Sequence, residues 1–241
     1  MAPRIGVVVF PGTNCEHDVI QAVERLGAEG VLLWHGDSSV GSDSSSGRES
    51  SVGSVGSVDA VVLPGGFAHG DYLRPGALAR FSPIMDAITR FAREGGPVVG
   101  ICNGFQVLTE AGLLPGALQK NGHLRFLCQP TRLVVSSTAS VLTGLAEVGQ
   151  ELVIPINHFS GSFTCDEETL RQLRDGDRIV LRYLDNPNGS VDDIAGIVNE
   201  AGNVVGLMPH PERASDALLG SEDGLVLLRS LLTAAGAGVA A

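Results

Sequence analysis

A cysteine between two glycines is the residue of this chain best suited to covalent chemistry. The sequence GICNG, residues 100–104, stands where an apolar run over 98–101 gives way to a helical pattern. Glycines two positions before and after a nucleophile permit a tight strand-to-helix turn that projects its side chain. A helix N-terminus stabilises a thiolate, and the amide of Asn103 could donate to an oxyanion formed beside it. The pattern therefore predicts that Cys102 is a nucleophile.

A second motif, PHPE at residues 209–212, supplies partners for such a thiol. Prolines favour extended backbone, in which residues i and i+2 lie on the same side. We therefore expect the Glu212 carboxylate to hold His210 in one tautomer and to stabilise its protonated form. With Cys102, these residues predict a Cys-His-Glu catalytic set.

Other residues offer weaker signals. Two consecutive glycines, Gly65 and Gly66, follow a predicted strand, so one of their amides could complete an oxyanion hole at the carboxyl edge of a sheet. His158 follows another predicted strand and could reach the same pocket. The remaining cysteines lack flanking glycines and are interpreted as structural: Cys15, Cys128 and Cys165. The other histidines are not spaced as metal ligands, so no metal site is predicted.

The elements that must position these residues alternate between strand and helix in the first half of the chain. Alternation with short connections is typical of a doubly wound α/β fold. Strands are predicted over 4–10, 31–34, 60–63 and 98–101, with helices over 16–26, 83–94 and 104–111.

The second half contains mainly short strands, and we expect it to be more antiparallel. Its strands are predicted over 124–135, 152–156, 179–183, 194–198 and 204–208, with helices over 167–174 and 225–235. The expected fold is α/β: one domain over 1–241 with an open, mostly parallel sheet, helices on both faces and a small antiparallel element. The last strand could return to the main sheet.

Composition narrows the function. The chain has 241 residues and a formal net charge of −11, which argues against nucleic acid as a partner. No apolar stretch reaches the roughly 18 residues of a membrane span, and no secretory leader is recognisable, so we expect a cytoplasmic protein with free thiols. Residues 36–58 are rich in Ser and Gly and predict a flexible surface insertion.

These motifs resemble the class I glutamine amidotransferases. Within that class, the similarity is closest to the small glutaminase subunits of phosphoribosylformylglycinamidine synthases, which act in de novo purine biosynthesis. The chain departs from their usual His-Gly-Glu-Gly at residues 158–161, and from a usual Ser-Tyr at 68–69. The stretches that carry the resemblance are 10–15, 64–67, 70–74, 100–106, 113–116, 188–190, 193–196 and 206–213.

The resemblance implies roles for individual residues. Cys102 would be the nucleophile, with His210 and Glu212 as its partners, and Gly66 and Asn103 would form the oxyanion hole. The expected substrate contacts are Phe67, Gln106 and His158.

The resemblance also implies partners. The chain would hydrolyse glutamine and pass ammonia to a separate ATP-dependent synthetase that aminates formylglycinamide ribonucleotide, with a small bridging subunit in the same complex. No cofactor is expected in this chain, since ATP and magnesium would bind to the synthetase.

Three alternatives stay open at this point. The chain could serve a different synthetase, although the GDYLR stretch at 70–74 argues against that. It could be a stand-alone cysteine hydrolase of the peptidase or γ-glutamyl type, which would work without a partner. It could also be a non-catalytic binding module, for which an intact Cys-His-Glu set is unexpected.

Overall fold

The computed structural model describes residues 2–37 and 57–237. Most of the predicted Ser/Gly-rich insertion, residues 38–56, lies outside these ranges, so that expectation stays a prediction. None of the described helices is long and apolar enough to cross a membrane.

A nine-stranded mixed sheet forms the centre of the fold, and its first five strands in space run parallel to one another. Each later strand runs antiparallel to its neighbour. In spatial order the strands are β2 (Glu29–Trp34), β1 (Arg4–Val9), β3 (Ala60–Leu63), β4 (Val98–Ile101), β11 (Val204–Leu207), β10 (Ile194–Val198), β9 (Ile179–Tyr183), β6 (Leu127–Val135) and β7 (Glu151–His158).

The strand order places a crevice at the carboxyl end of the parallel strands. The chain moves outward from β1 to β2, then returns past β1 to β3 and on to β4. Right-handed crossovers in these opposite directions put their helices on opposite faces, and ligands bind where the direction reverses. The helices are α1 (Glu16–Arg25), α2 (Ile84–Arg93), α3 (Asn103–Glu110), α4 (Glu167–Asp175) and α5 (Leu225–Ala237).

Burial explains why the parallel strands are nearly continuous apolar runs. Every residue of β3, β4 and β11 is buried, as expected for strands covered on both faces. Because β4 pairs with both β3 and β11, the residue that follows β4 emerges at the centre of the sheet edge. That residue is Cys102.

The predicted fold class is confirmed, with differences in the second half. The antiparallel strands continue the main sheet, and β11 returns between β4 and β10, as anticipated. The strand predicted over 124–135 begins only at Leu127, because Leu124 has a positive φ of 55° in a turn. β5 (Ala117–Lys120) and β8 (Ser160–Thr164) form a separate two-stranded antiparallel sheet, in agreement with the small antiparallel element that was expected, although neither strand was predicted.

Candidate active site

The turn between β4 and α3 has the predicted elbow geometry. Cys102 has φ 52° and ψ −106°, which is strained for a residue with a side chain. A Cβ on Gly100 would lie 2.6 Å from the carbonyl carbon of Gly104, and a Cβ on Gly104 would clash with the carbonyl oxygen of Leu63. Any side chain at either position would clash, so close packing of α3 against the sheet requires both glycines.

His210 and Glu212 form a buried pair. Nδ1 of His210 lies 2.6 Å from Oε1 of Glu212, and the two residues are 1% and 2% exposed. The expectation of extended backbone is wrong here, because Pro211–Arg213 forms one turn of 3-10 helix. This 3-10 turn, and not the alternation of side chains along a strand, brings His210 and Glu212 together.

Opposing influences act on the His210 imidazole. Burial acts to lower its pKa, but the Glu212 carboxylate and the neighbouring Cys102 and Cys15 raise that pKa well above the ordinary value. With Glu212 accepting from Nδ1, the tautomer leaves Nε2 for proton transfer. Within the described residues, Nε2 has no hydrogen-bond partner.

Gly65 is the point around which the cluster packs. A Cβ there would lie 2.7 Å from Cε1 of His210, 3.0 Å from Sγ of Cys15 and 3.5 Å from Cβ of Cys102. The missing side chain therefore leaves room for two thiols and an imidazole at one place. Sγ of Cys102 also lies 3.7 Å from the carbonyl oxygen of Asn157, at the end of β7.

Two backbone amides are available for an oxyanion. The amide of Asn103 is the first in α3 and has no acceptor within the helix. Gly66 is held against Thr13 by an isolated antiparallel bridge, in which Phe67 N donates to Gly12 O at 2.9 Å. In the described part of the chain, neither the Gly66 nor the Asn103 amide donates to a backbone acceptor.

A cavity of about 860 Å³ brings most of the predicted site residues together, although Asn103 and Glu212 are not among its lining residues. It is large enough for an amino acid substrate and lies at the carboxyl edge of the sheet. Its lining includes Gly66, Phe67, Cys102, Gln106, His158 and His210, together with Cys15, Asp71, Arg74 and Lys120.

The side chains of Asn103 and Gln106 are tied into the protein. Asn103 Oδ1 accepts from the Ala68 amide at 2.9 Å, and its Nδ2 donates to Gln106 Oε1 at 2.8 Å. Gln106 Nε2 donates to Ser160 O at 2.6 Å. Gln106 therefore braces the cavity wall with both ends of its amide, while Phe67 is about half exposed along that wall.

His158 presents a neutral imidazole. Its Nδ1 lies 3.1 Å from Asn121 Oδ1, and Asn121 Nδ2 donates to the carbonyls of Arg125 and His158, so Nδ1 carries the proton. Burial, and then the nearby His210, lower the pKa of His158 to about 4. His158 Nε2 has no partner among the described residues and remains an acceptor.

Cys15 is the main site residue that sequence reasoning missed. It was interpreted as structural, yet it lies beside His210 in the cavity lining. The loop after β1 opens onto the same sheet edge as the loops after β3 and β4, and that position was the available signal. Lys120, the only lysine of the chain, also lines the cavity, with Nζ 5.9 Å from the centre of the Phe159 ring.

Donor atoms of Cys15, His210 and Glu212 all lie within 4.8 Å of one another, as the ligands of a metal ion would. His210 is already bonded to Glu212, and Cys15 accepts from the Arg213 guanidinium at 3.1 Å. Because these atoms are already hydrogen-bonded and the Arg213 guanidinium lies beside them, the three side chains favour a hydrogen-bonded cluster over a metal site. The absence of a metal stays a prediction.

Asp71 predicts a measurable pH effect on stability. Burial raises its pKa to about 6, although the bond from Asn103 Nδ2 acts to lower it. A raised pKa means that the folded protein holds the proton more tightly than the unfolded chain, so this contribution to stability falls as pH rises from about 4 to about 6. D71N keeps an acceptor for Asn103 without a charge. Its melting temperature minus that of the wild type should therefore increase across this range and then level off.

D166N is the control of opposite sign. Hydrogen bonds from Thr169 lower the pKa of the Asp166 carboxyl at the start of α4, so its ionised form favours folding. The melting temperature of D166N should fall relative to the wild type as pH rises. A flat difference for D71N between pH 4 and pH 7 would contradict the burial effect.

Comparison with known proteins identifies the class to which this fold and site belong. Residues 2–222 match the CobB/CobQ-like glutamine amidotransferase domain. The chain belongs to this family and is a glutamine amidotransferase.

Individual relatives are similar over nearly their whole length. The chain is 54% identical over 232 residues to the phosphoribosylformylglycinamidine synthase subunit PurQ of Rubrobacter xylanophilus, covering 96% of this chain and 99% of the relative. It is 48% identical over 242 residues to the PurQ subunit of Salinibacter ruber, covering 96% and 97%.

Solved structures agree with the sequence relatives. A chain in the structure of PurLQS from Thermotoga maritima matches with a TM-score of 0.84 and 40% identity, covering 97% of this chain and 99% of that one. A putative GMP synthase subunit from Thermoplasma acidophilum matches with a TM-score of 0.63 at 15% identity, covering 98% and 96%, and supports the fold alone.

Proposed function

We propose that this chain hydrolyses the side-chain amide of glutamine with Cys102 as nucleophile, His210 as acid and base, and Glu212 as the group that orients His210. The observation that carries the proposal is the buried His210–Glu212 pair, whose His210 lines the same cavity as the elbow cysteine. A positioned thiol, imidazole and carboxylate form the arrangement that covalent acyl transfer requires.

The reaction proceeds in two halves. His210 takes the thiol proton, and the thiolate attacks the amide carbon, forming a tetrahedral oxyanion. His210 then gives the proton to the departing nitrogen, which leaves as ammonia, and a thioester forms at Cys102. In the second half, His210 takes a proton from water, the hydroxide attacks the thioester, and glutamate is released as the thiol regains its proton.

The surrounding residues stabilise charge and hold the substrate. The amides of Gly66 and Asn103 bind the oxyanion, because Gly66 lines the cavity, Asn103 directly follows Cys102, and neither amide donates to a backbone acceptor among the described residues. Phe67, Gln106 and His158 contact glutamine, with the neutral Nε2 of His158 suited to a donor on the substrate. The side chain of Lys120 supplies a positive charge for the substrate carboxylate.

We further propose that the ammonia serves a phosphoribosylformylglycinamidine synthase. The support is the 54% identity to a relative of that name and the 40% identity to a chain of the PurLQS structure, each over nearly the full length. Ammonia becomes ammonium in neutral water and loses its nucleophilicity, so it must pass directly to the partner. The synthetase subunit would bind ATP and magnesium and aminate formylglycinamide ribonucleotide, with a small bridging subunit in the complex. The enzyme would work in the cytoplasm, where its free thiols stay reduced.

Reconstitution tests this assignment. The chain is combined with the synthetase and small subunits encoded by the same organism, and amination of formylglycinamide ribonucleotide is followed with glutamine or with ammonium chloride. We expect glutamine-driven turnover only when all subunits are present, and little glutaminase activity from the chain alone. Full glutaminase activity without partners would favour a stand-alone hydrolase, and activity only with another synthetase would reassign the product.

A further inference from the structure

The second thiol of the cavity, Cys15, belongs to no step of the proposed reaction. It is 2% exposed and lies directly before α1, on the loop that follows β1. A buried free cysteine is often only a small apolar residue. The contacts of this one are polar and lead to His210.

The Cys15 sulfur is held from two sides. Its thiol donates to Oδ1 of Asn14 at 3.2 Å, and its sulfur accepts from Nη2 of Arg213 at 3.1 Å. Nε of Arg213 in turn donates to Oδ2 of Asp18 on α1 at 3.1 Å. These bonds fix the sulfur and connect α1 to the turn that carries His210 and Glu212.

The same sulfur lies against the catalytic pair. Donor atoms of Cys15, His210 and Glu212 are all within 4.8 Å of one another. The Gly65 backbone closes the other side, since a Cβ there would meet both Cε1 of His210 and Sγ of Cys15. The imidazole is therefore confined by Glu212, the Gly65 backbone and the Cys15 sulfur.

We propose that Cys15 is a positioning residue for His210: its sulfur, fixed by Arg213, holds the imidazole in line with Cys102. This inference rests on the proposed function. The sulfur also provides electron density beside the ring, so it favours the imidazolium that forms when His210 takes the thiol proton. In agreement, the nearby Cys15 is one of the groups that raise the His210 pKa.

The test compares C15A, C15S and C128A. Cys128 is an exposed cysteine on β6, so C128A controls for loss of a thiol elsewhere. In the assembled complex, C15A should lower kcat with glutamine about 10-fold, because a displaced ring transfers protons poorly, while KM for glutamine stays within about twofold. C15S keeps an acceptor for Arg213 and should recover most of the rate. C128A should match the wild type.

A second measurement needs no partner subunit. The full-length chain is alkylated with iodoacetamide across a pH series, and the rate at Cys102 is read by peptide mass spectrometry. For C15A, the rise of this rate should move to higher pH, because a less stable imidazolium at His210 favours the Cys102 thiolate less. In the assembled complex, the alkaline limb of kcat/KM should move to lower pH, because His210 loses its proton more readily. If C15A fails to fold, R213K keeps the positive charge near His210 but lacks the Nη2 donor that fixes the sulfur, and it should shift each profile in the same direction as C15A.

Specific outcomes would overturn the inference. Unchanged pH profiles in C15A and R213K would show that the sulfur does not act on His210. Equal rate losses in C15A and C15S, with lower melting temperatures and wild-type pH profiles, would show a packing role only. A shifted alkylation profile in a complex that lacks glutamine-driven synthesis would retain the inference and reject the proposed function.

Discussion

C102A is expected to abolish glutamine-dependent amination by the assembled complex while ammonia-dependent amination continues at the wild-type rate. Alanine has no nucleophile, so no thioester forms, and the loss should be at least about 10³-fold. Free ammonia bypasses the glutaminase cavity and reaches the synthetase directly. Steady-state rates with glutamine and with ammonium chloride, measured on the same preparation, give both values.

The control for C102A is C165A, which removes a partly exposed thiol close to α4. C165A should keep both activities. Glutamine-driven turnover that persists in C102A would show that Cys102 is not the nucleophile. An equal loss with ammonia would show instead that the substitution disturbs the complex.

H210N is expected to give the second large effect. Asparagine cannot move a proton between the thiol and the departing nitrogen, so glutamine-dependent turnover should fall by about 10³-fold or more, with ammonia-dependent synthesis retained. E212Q should lose less, because its amide still contacts His210. The neutral amide no longer favours the imidazolium, so the pKa of His210 should fall and the alkaline limb of the pH profile should move to lower pH.

The relative losses of glutamine-dependent activity in C102A, H210N and E212Q distinguish a catalytic role from a packing role. C102A and H210N should be nearly equal, since each removes an indispensable part of one unit, and E212Q should lie between them and the wild type. E212Q removes the negative charge from the buried pair with His210, which also affects the stability of the fold. Melting temperatures must therefore be measured together with the rates. A wild-type pH profile in E212Q would contradict the role of Glu212 in stabilising the imidazolium.

Much of the site could be predicted because the residues that form each part of it lie close together in the sequence. Gly100 and Gly104 are needed wherever a helix starts this close to a sheet, so they indicated the elbow without knowledge of the fold. The spacing of His210 and Glu212 likewise limits how far apart they can lie. Even so, the contact arises from a 3-10 turn that the two prolines did not reveal.

Contacts between distant segments could not be predicted in this way. Cys15 reaches His210 only because the loops after β1 and β3 meet at Gly65, and its bond to Arg213 spans 198 positions. The positions of β5 and β8 were missed because both strands are short and lack a clear alternation of apolar and polar residues. Such features depend on strand order, which a single sequence did not specify in the second half.

Mass spectrometry of the chain after reaction with a glutamine-mimicking alkylating agent tests the central claim most directly. The cavity contains two thiols, Cys102 and Cys15, so the position of the adduct distinguishes the nucleophile from its neighbour. We expect one adduct per chain, at Cys102, with glutamine protecting against its formation and no adduct in C102A. An adduct at Cys15 in the wild type, or labelling of C102A at the wild-type rate, would contradict the assignment of Cys102 as the nucleophile.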